Sequence, residues 1–285
     1  MGKKLFVEEF QGLDFSMKYG VEKTLFCGQS DFQSVDIVET KTFGKMLLND
    51  GLVMVTERDE FVYHDMIAHV PLFTHPCPRK VLIIGGGDGG TAREVLRHDV
   101  VEKCVMVEID AMVVEASRTH LPSMSCSLDH PKLELRIEDG IKYVEETDEV
   151  FDVVLVDSTD PIGPAAPLFG SAFYQNVYRC LAETGIVVAQ GESSHYEKKS
   201  QEKLLSIVSE IFPVRALYNY HNLTYPGGMW SFALASKGPH PLKDFDSSKV
   251  SASRLNFRYY NEAVHWGAFA LPSFQKDLVG GYLSP

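Results

Sequence analysis

The stretch Val81-Leu82-Ile83-Ile84-Gly85-Gly86-Gly87-Asp88-Gly89-Gly90 decides how the chain is read. Four apolar residues in a row make a strand with no polar face, so both its faces must be covered. The glycines then satisfy Gly-x-Gly-x-x-Gly through Gly85, Gly87 and Gly90. They permit a tight turn and close approach of a ligand to the backbone. Working outward, Cys104–Val107, Leu133–Ile137, Phe151–Val156 and Gly185–Ala189 are further segments that read as strands. Helical stretches lie between them, near 90–98, 111–120, 171–183 and 197–211. Buried strands alternating with helices predict an α/β fold built on a doubly wound parallel sheet. After residue 213 the pattern blurs, and Ser231–Ala235 predicts one more strand of the same sheet.

Before residue 80 the pattern is different. Phe32–Val38 is rich in β-formers, and Asn49-Asp50-Gly51 is a hairpin signal between Lys45-Met46-Leu47-Leu48 and Leu52-Val53-Met54-Val55. Residues 1–57 therefore predict a small antiparallel β domain, and 58–285 the α/β domain. Between them, Asp59 to Val70 predicts a helix, with Phe61, Met66, Ile67 and Val70 at helical spacing. Thr56 or Asp59 is its expected cap, Pro71 its expected end, and Pro76 to Pro78 a linker.

The chain has 27 Lys plus Arg against 39 Asp plus Glu, a formal net charge of −12. That sign argues against nucleic acid and an anionic membrane as partners, and it attracts a cationic small molecule. No run approaches the ~18 apolar residues of a membrane span. The first residues carry no signal-peptide pattern, so a cytoplasmic chain is expected. The five cysteines form no Cys-x-x-Cys pair, and His64 and His69 are off the His-Glu-x-x-His spacing, so no metal is expected.

The residues that carry chemistry follow the predicted strands, at the edge where open α/β sheets bind ligands. Glu108 ends the second strand, where a carboxylate can grip a ribose diol. With the glycine loop it points to a nucleoside. Asp88 sits inside that loop and would repel a pyrophosphate, which argues against NAD, FAD and ATP and for a cationic tail. Asp139-Gly140 follows the third strand, either as an acceptor for an adenine amino group or as a plain turn. Asp157-Ser158-Thr159-Asp160 follows the fourth. Gln190, Glu192 and Tyr225 come after later strands, and Tyr63 and His64 from the early helix. Asp88, Glu108, Asp139, Asp157, Asp160 and Glu192 have no Lys or Arg beside them, which suits a di-amine or polyamine ligand.

At these residues the sequence resembles the spermidine synthases. The likeness is carried by 81–90, by Thr56-Glu57-Arg58-Asp59-Glu60-Phe61-Val62-Tyr63-His64 and by 157–164. Gln190-Gly191-Glu192 and Thr224-Tyr225-Pro226-Gly227-Gly228 match too, and the resemblance runs to Tyr259-Tyr260-Asn261 and Ala268–Pro272. It implies a Rossmann-like domain of the class I methyltransferase type. It also implies transfer of an aminopropyl group from decarboxylated S-adenosylmethionine, a co-substrate and not a prosthetic group, to putrescine. Spermidine and methylthioadenosine would be the products. Gln33, Glu108, Asp139, Gly140 and Pro164 would hold the methylthioadenosine part, and Asp88 the aminopropyl ammonium. Asp157 would accept the proton, with Tyr63 orienting the amine. Tyr63, His64, Ser158, Asp160, Gln190, Glu192 and Tyr225 would line the amine site, and 158–171 would close over it. A homodimer or homotetramer is the implied assembly. Three positions depart from the usual pattern: Leu5 where many members have Trp, Asn222-Leu223 where Ile-Pro is frequent, and Met54 where some have Gln.

Two other readings use the same residues. One is a di-amine N-methyltransferase taking intact S-adenosylmethionine, and Asp88 counts against it because the donor's carboxylate would face it. The other is a non-catalytic polyamine-binding protein, against which stand Asp157, Tyr63 and Asp160 together.

Overall fold

The computed structural model describes residues 4–9, 15–158, 168 and 170–285. The first five strands form one antiparallel meander: β1 (Lys4–Glu9), β2 (Ser16–Gln29), β3 (Ser34–Thr40), β4 (Gly44–Asn49) and β5 (Leu52–Thr56). The expected hairpin joins β4 to β5. Asp50 and Gly51 both take positive φ, 48° and 79°, the pair of left-handed residues that matches strand twist in a two-residue turn.

A seven-stranded sheet follows. Its strands are β6 (Lys80–Gly85), β7 (Lys103–Glu108), β8 (Leu133–Ile137), β9 (Phe151–Asp157), β10 (Leu181–Gln190), β11 (Val214–His221) and β12 (Met229–Ser236). Their spatial order is β11-β12-β10-β9-β6-β7-β8. The five strands β6 to β10 run parallel, and β12 lies antiparallel between β10 and β11. This is the expected doubly wound sheet with one reversed strand.

The helices cover both faces. On one side lie α1 (Glu60–Thr74), α2 (Gly90–Leu96) and α3 (Ala111–His120), with the short α4 (Pro122–Ser125) behind them. On the other lie α5 (Gly140–Glu146), α6 (Ser171–Cys180) and α7 (Lys198–Ile211). The chain ends in α8 (Ser247–Ser253), α9 (Glu262–Ala268) and α10 (Ser273–Val279). Val81 and Ile83 of β6 face the α1–α2 core, while Leu82 and Ile84 face the α5–α7 core. Each such side chain contributes about 1.5–3 kcal/mol by full burial, which is why the run admits no polar residue. Val35, Ile37, Leu47 and Val55 of the small sheet pack on Val113 and Ala116 of α3. That contact sets the small sheet beside the C-terminal edge of β7.

Two expectations about α1 are corrected. The helix does not end at Pro71 but continues to Thr74. Proline deletes a single N–H bond, the His75 N–H donates to the Pro71 carbonyl at 2.9 Å, and Leu72 and Phe73 are buried. Asp59 stands at the helix start without capping it. Its carboxylate instead accepts from the Thr56 hydroxyl at 2.6 Å and from the N–H groups of Leu223 and Thr224 at 2.7 and 2.9 Å.

A buried charge network ties α1 to α2 and to the C-terminal segment. Asp65 Oδ2 accepts from the N–H groups of Arg258, Tyr259 and Tyr260. His69 Nε2 lies 3.2 Å from Glu94 Oε2, and Glu94 also pairs with Arg93 and Arg97. Asp65, His69 and Glu94 offer three ligand-type atoms within 4.8 Å of one another, but the two arginines already supply the cation there. Among the described residues, no helix is long and apolar enough to cross a membrane.

Candidate active site

The C-terminal ends of β6, β7 and β9 and the rim of the small sheet border an open cleft. The glycine loop forms its floor. Gly85 and Gly86 take φ of +86° and +76°, and the Gly86 N–H donates to the Asp157 carbonyl at 2.8 Å. A Cβ on Gly85 would run into that same carbonyl, and one on Gly90 into the His64 ring. The tight turn expected of these glycines is present, and Gly85 and Gly90 also let the protein pack closely on itself.

Asp157 ends β9. Its Oδ1 accepts from the Tyr63 hydroxyl at 2.8 Å, and Gln190 Nε2 donates to that hydroxyl at 3.1 Å and to the Ser158 carbonyl at 2.6 Å. Rings box Tyr63 in, with Phe232 at 5.0 Å, Tyr220 at 5.9 Å and Tyr225 at 6.3 Å between centroids. The phenol therefore has a fixed aim. Burial and then the nearby Asp157 push its pKa well above the usual range, so it stays a neutral donor. Burial also raises the Asp157 carboxyl, and Asp88 raises it further, while His64, Thr91 and Tyr63 oppose them.

His64 is wholly buried behind Asp88, with Nε2 at 3.3 Å from Asp88 Oδ1 and Nδ1 at 2.6 Å from Glu60 Oε2. Burial alone would discharge the ring, but the two carboxylates override it and push the pKa up to about 10. Asp88 Oδ1 also accepts from the Gly90 N–H at 2.7 Å.

On the opposite wall, Glu108 accepts from the N–H groups of Gly87 at 3.1 Å and Asp110 at 2.9 Å. Burial is the main cause that lifts its pKa to about 7, and the charges of Asp110 and Asp157 add to it. Asp110 caps α3 through the Met112 N–H and accepts from Gln33 Nε2 at 3.0 Å and Ser30 Oγ at 2.8 Å. It thus anchors Gln33 of the small sheet to the edge of β7. Sequence reasoning missed Asp110; its position as a carboxylate opening a helix two residues after Glu108 was the available signal. Asp139 caps α5 through the Ile141 N–H at 2.8 Å, with Gly140 behind it. The Tyr225 hydroxyl donates to the Met54 carbonyl at 2.7 Å.

The fold thus brings Gln33, Tyr63, Asp88, Glu108, Asp139, Gly140, Asp157, Ser158, Gln190 and Tyr225 to one cleft. Two expected residues are not on its wall. His64 stands behind Asp88, and Glu192 is buried beyond the end of β10, where its carbonyl accepts from the Ser231 hydroxyl at 2.8 Å. Asp160, Pro164 and most of 158–171 lie outside the described residues. Asp88, Glu108, Asp139 and Asp157 line the cleft, and among the described residues no lysine or arginine does. Such a wall suits a cationic ligand carrying a nucleoside.

The chain is also similar over nearly its whole length to known proteins. The family model described as the spermine/spermidine synthase domain matches residues 60–247, and that of the spermidine synthase tetramerisation domain matches 5–57. A polyamine aminopropyltransferase of Caldicellulosiruptor saccharolyticus is 48% identical over 97% of this chain and 98% of its own. The protein of the same name in Clostridium kluyveri is 47% identical over 96% of this chain and 99% of its own. The spermidine synthase structure from Thermotoga maritima superposes with a TM-score of 0.94 at 44% identity, over 97% of this chain and 94% of that one. A spermidine synthase in complex with the transition state analogue AdoDATO gives 0.95 at 44% identity, over 97% and 95%. The chain belongs to the spermine/spermidine synthase family and is an aminopropyltransferase.

Proposed function

We propose that the enzyme transfers the aminopropyl group of decarboxylated S-adenosylmethionine to putrescine, giving spermidine and methylthioadenosine. The observation that carries this reading is a cleft in which four carboxylates and, among the described residues, no lysine or arginine meet an otherwise apolar and neutral lining, with the Tyr63–Asp157 hydrogen bond among them. Glu108 takes the ribose diol, Asp139 and Gly140 the adenine end, and Gln33 the rim, held there by Asp110. Asp88 takes the aminopropyl ammonium.

The acceptor's neutral nitrogen attacks the carbon beside the sulfonium. A C–N bond forms as the C–S bond breaks, the bonding pair goes to sulfur, and methylthioadenosine leaves. The nitrogen then carries a surplus proton, which Asp157 accepts. Freeing the lone pair of an alkyl amine of pKa ~10.4 at pH 7 costs roughly 4–5 kcal/mol. A carboxylate of ordinary pKa would be a weak base for that step, and the upward push on Asp157 from burial and Asp88 acts in the direction that narrows the mismatch. Tyr63 fixes the carboxylate's aim, and Gln190 and Tyr225 frame the acceptor side. Alignment of two bound substrates supplies a large share of the acceleration. We further infer a homo-oligomer, on the strength of the match of residues 5–57 to a tetramerisation domain.

The test is to incubate the purified protein with putrescine and each donor separately, and to follow products by mass spectrometry. Spermidine and methylthioadenosine from the decarboxylated donor alone are expected. N-methylputrescine from intact S-adenosylmethionine would overturn the reading, as would polyamine binding without product.

A further inference from the structure

Behind the cleft runs a chain of alternating charge that the reaction as written does not use. Arg93 of α2 forks onto Glu60, with Nη2 at 2.8 Å from Oε2 and Nη1 at 3.3 Å from Oε1. Glu60 Oε2 lies 2.6 Å from His64 Nδ1, one helical turn along α1. His64 Nε2 lies 3.3 Å from Asp88 Oδ1, and Asp88 faces the cleft. The ring cannot turn away, because it packs so closely on Gly90 that any side chain there would collide with it. Arg93 is itself fixed by the Ser123 carbonyl at 2.8 Å and by Glu94 Oε1 at 2.8 Å.

We propose that Glu60 and Arg93, neither of which lines the cleft, are positioning residues for aminopropyl transfer: they hold the His64 ring as a cation against Asp88 and so fix the anion that meets the donor's ammonium. This rests on the assignment of Asp88 to that ammonium. The physical need is plain. Asp88 and Asp157 share one cleft, and two buried carboxylates drive each other towards protonation. A cation behind Asp88 offsets the repulsion between the two carboxylates and leaves Asp157 as the group that takes up a proton. The groups that face His64 or its partner are Glu60 and Tyr63 from α1, Asp88 from the glycine loop, Asp157 from β9, Arg93 from α2, and Arg258, whose Nη1 is 3.8 Å from Glu60 Oε1. Burial opposes the charge on the Glu60 carboxyl, but His64 and Arg93 hold its pKa down at about 2, so Glu60 and His64 stay charged through neutral pH.

The test follows the ring nitrogens of His64 by 15N NMR between pH 6 and 9, alongside the pH profile of kcat/KM for the donor, in the parent enzyme and in Glu60→Gln. In the parent, His64 stays doubly protonated through pH 8.5. In Glu60→Gln it titrates below 8.5, and kcat/KM falls roughly tenfold per pH unit above that new ionisation. Arg93→Gln shifts both readouts the same way by less, and it decides the matter if Glu60→Gln does not fold. An unchanged His64 titration in the variant that folds, or an activity loss equal at every pH, overturns the proposal. Failure of the parent to transfer aminopropyl would sink the assignment of the reaction, and the His64 titration would still report on the charge chain by itself.

Discussion

Helix α1 carries two acid–histidine pairs of one design, Glu60 with His64 and Asp65 with His69, each spaced one helical turn apart. Both histidines are wholly buried, and both pairs reach an arginine. They differ in where they end. The first terminates in Asp88 on the wall of the cleft. The second terminates in Glu94 with Arg97, and through Asp65 in the backbone of Arg258 to Tyr260. On the proposal above, the same local chemistry serves the cleft in one place and fastens a chain segment in the other. What separates them is the last group in each chain.

Substitutions can break this contrast or sharpen it. Asp157→Asn, at the end of the catalytic side, is expected to lower kcat by about 10³ while methylthioadenosine still binds, as steady-state rates and calorimetry would show. Asp65→Asn, on the fastening side, is expected to cost about 3 kcal/mol in urea unfolding and to leave the pH profile of kcat/KM as it was. A changed profile would mean that Arg93, which meets both Glu60 and Glu94, passes the change from one pair to the other.

The pH dependence of stability comes next. His64 has a folded pKa of about 10 against an ordinary 6.5, so its contribution is complete below 6.5 and is lost as pH rises through 10. Glu60 is depressed to about 2 from 4.5, so its contribution is complete above 4.5 and is lost as pH falls through 2. Unfolding free energy should therefore be higher at pH 6 than at pH 9.5, and His64→Gln should flatten that alkaline limb. The smallest effect is expected at Tyr225→Phe, which deletes the bond to the Met54 carbonyl. About 1 kcal/mol, or roughly fivefold in the KM for the amine, is the expected loss, with the donor KM unmoved.

The inner parallel strands β6, β7 and β9 were legible because residues buried on both faces favour long apolar runs, whereas the edge strand β8 alternates Leu133, Leu135 and Ile137 with Glu134 and Arg136. Strand β11 was not legible, since Tyr218, Asn219 and Tyr220 break the apolar pattern while being buried. Asn219 is affordable there only because Gln275 exchanges two amide hydrogen bonds with it from α10. Of the site, Asp88, Glu108, Asp139 and Asp157 could be read from their places after strands, and Gln33 came only with the family resemblance. Gln33 meets Asp110 across 77 residues of chain, a pairing that only the docking of the small sheet creates. Glu60 was written in the sequence at helical spacing from His64, yet nothing local says that the pair points to the cleft rather than to a neighbouring helix.

The most direct test of the account is the affinity of the parent and of Asp88→Asn for decarboxylated and intact S-adenosylmethionine, measured by calorimetry at pH 7.5. The parent should strongly prefer the decarboxylated donor, and the variant should shrink that preference by at least about tenfold, because a like-charge clash with the intact donor's carboxylate has been removed. An unchanged ratio would contradict the claim that the acids of this cleft choose the donor.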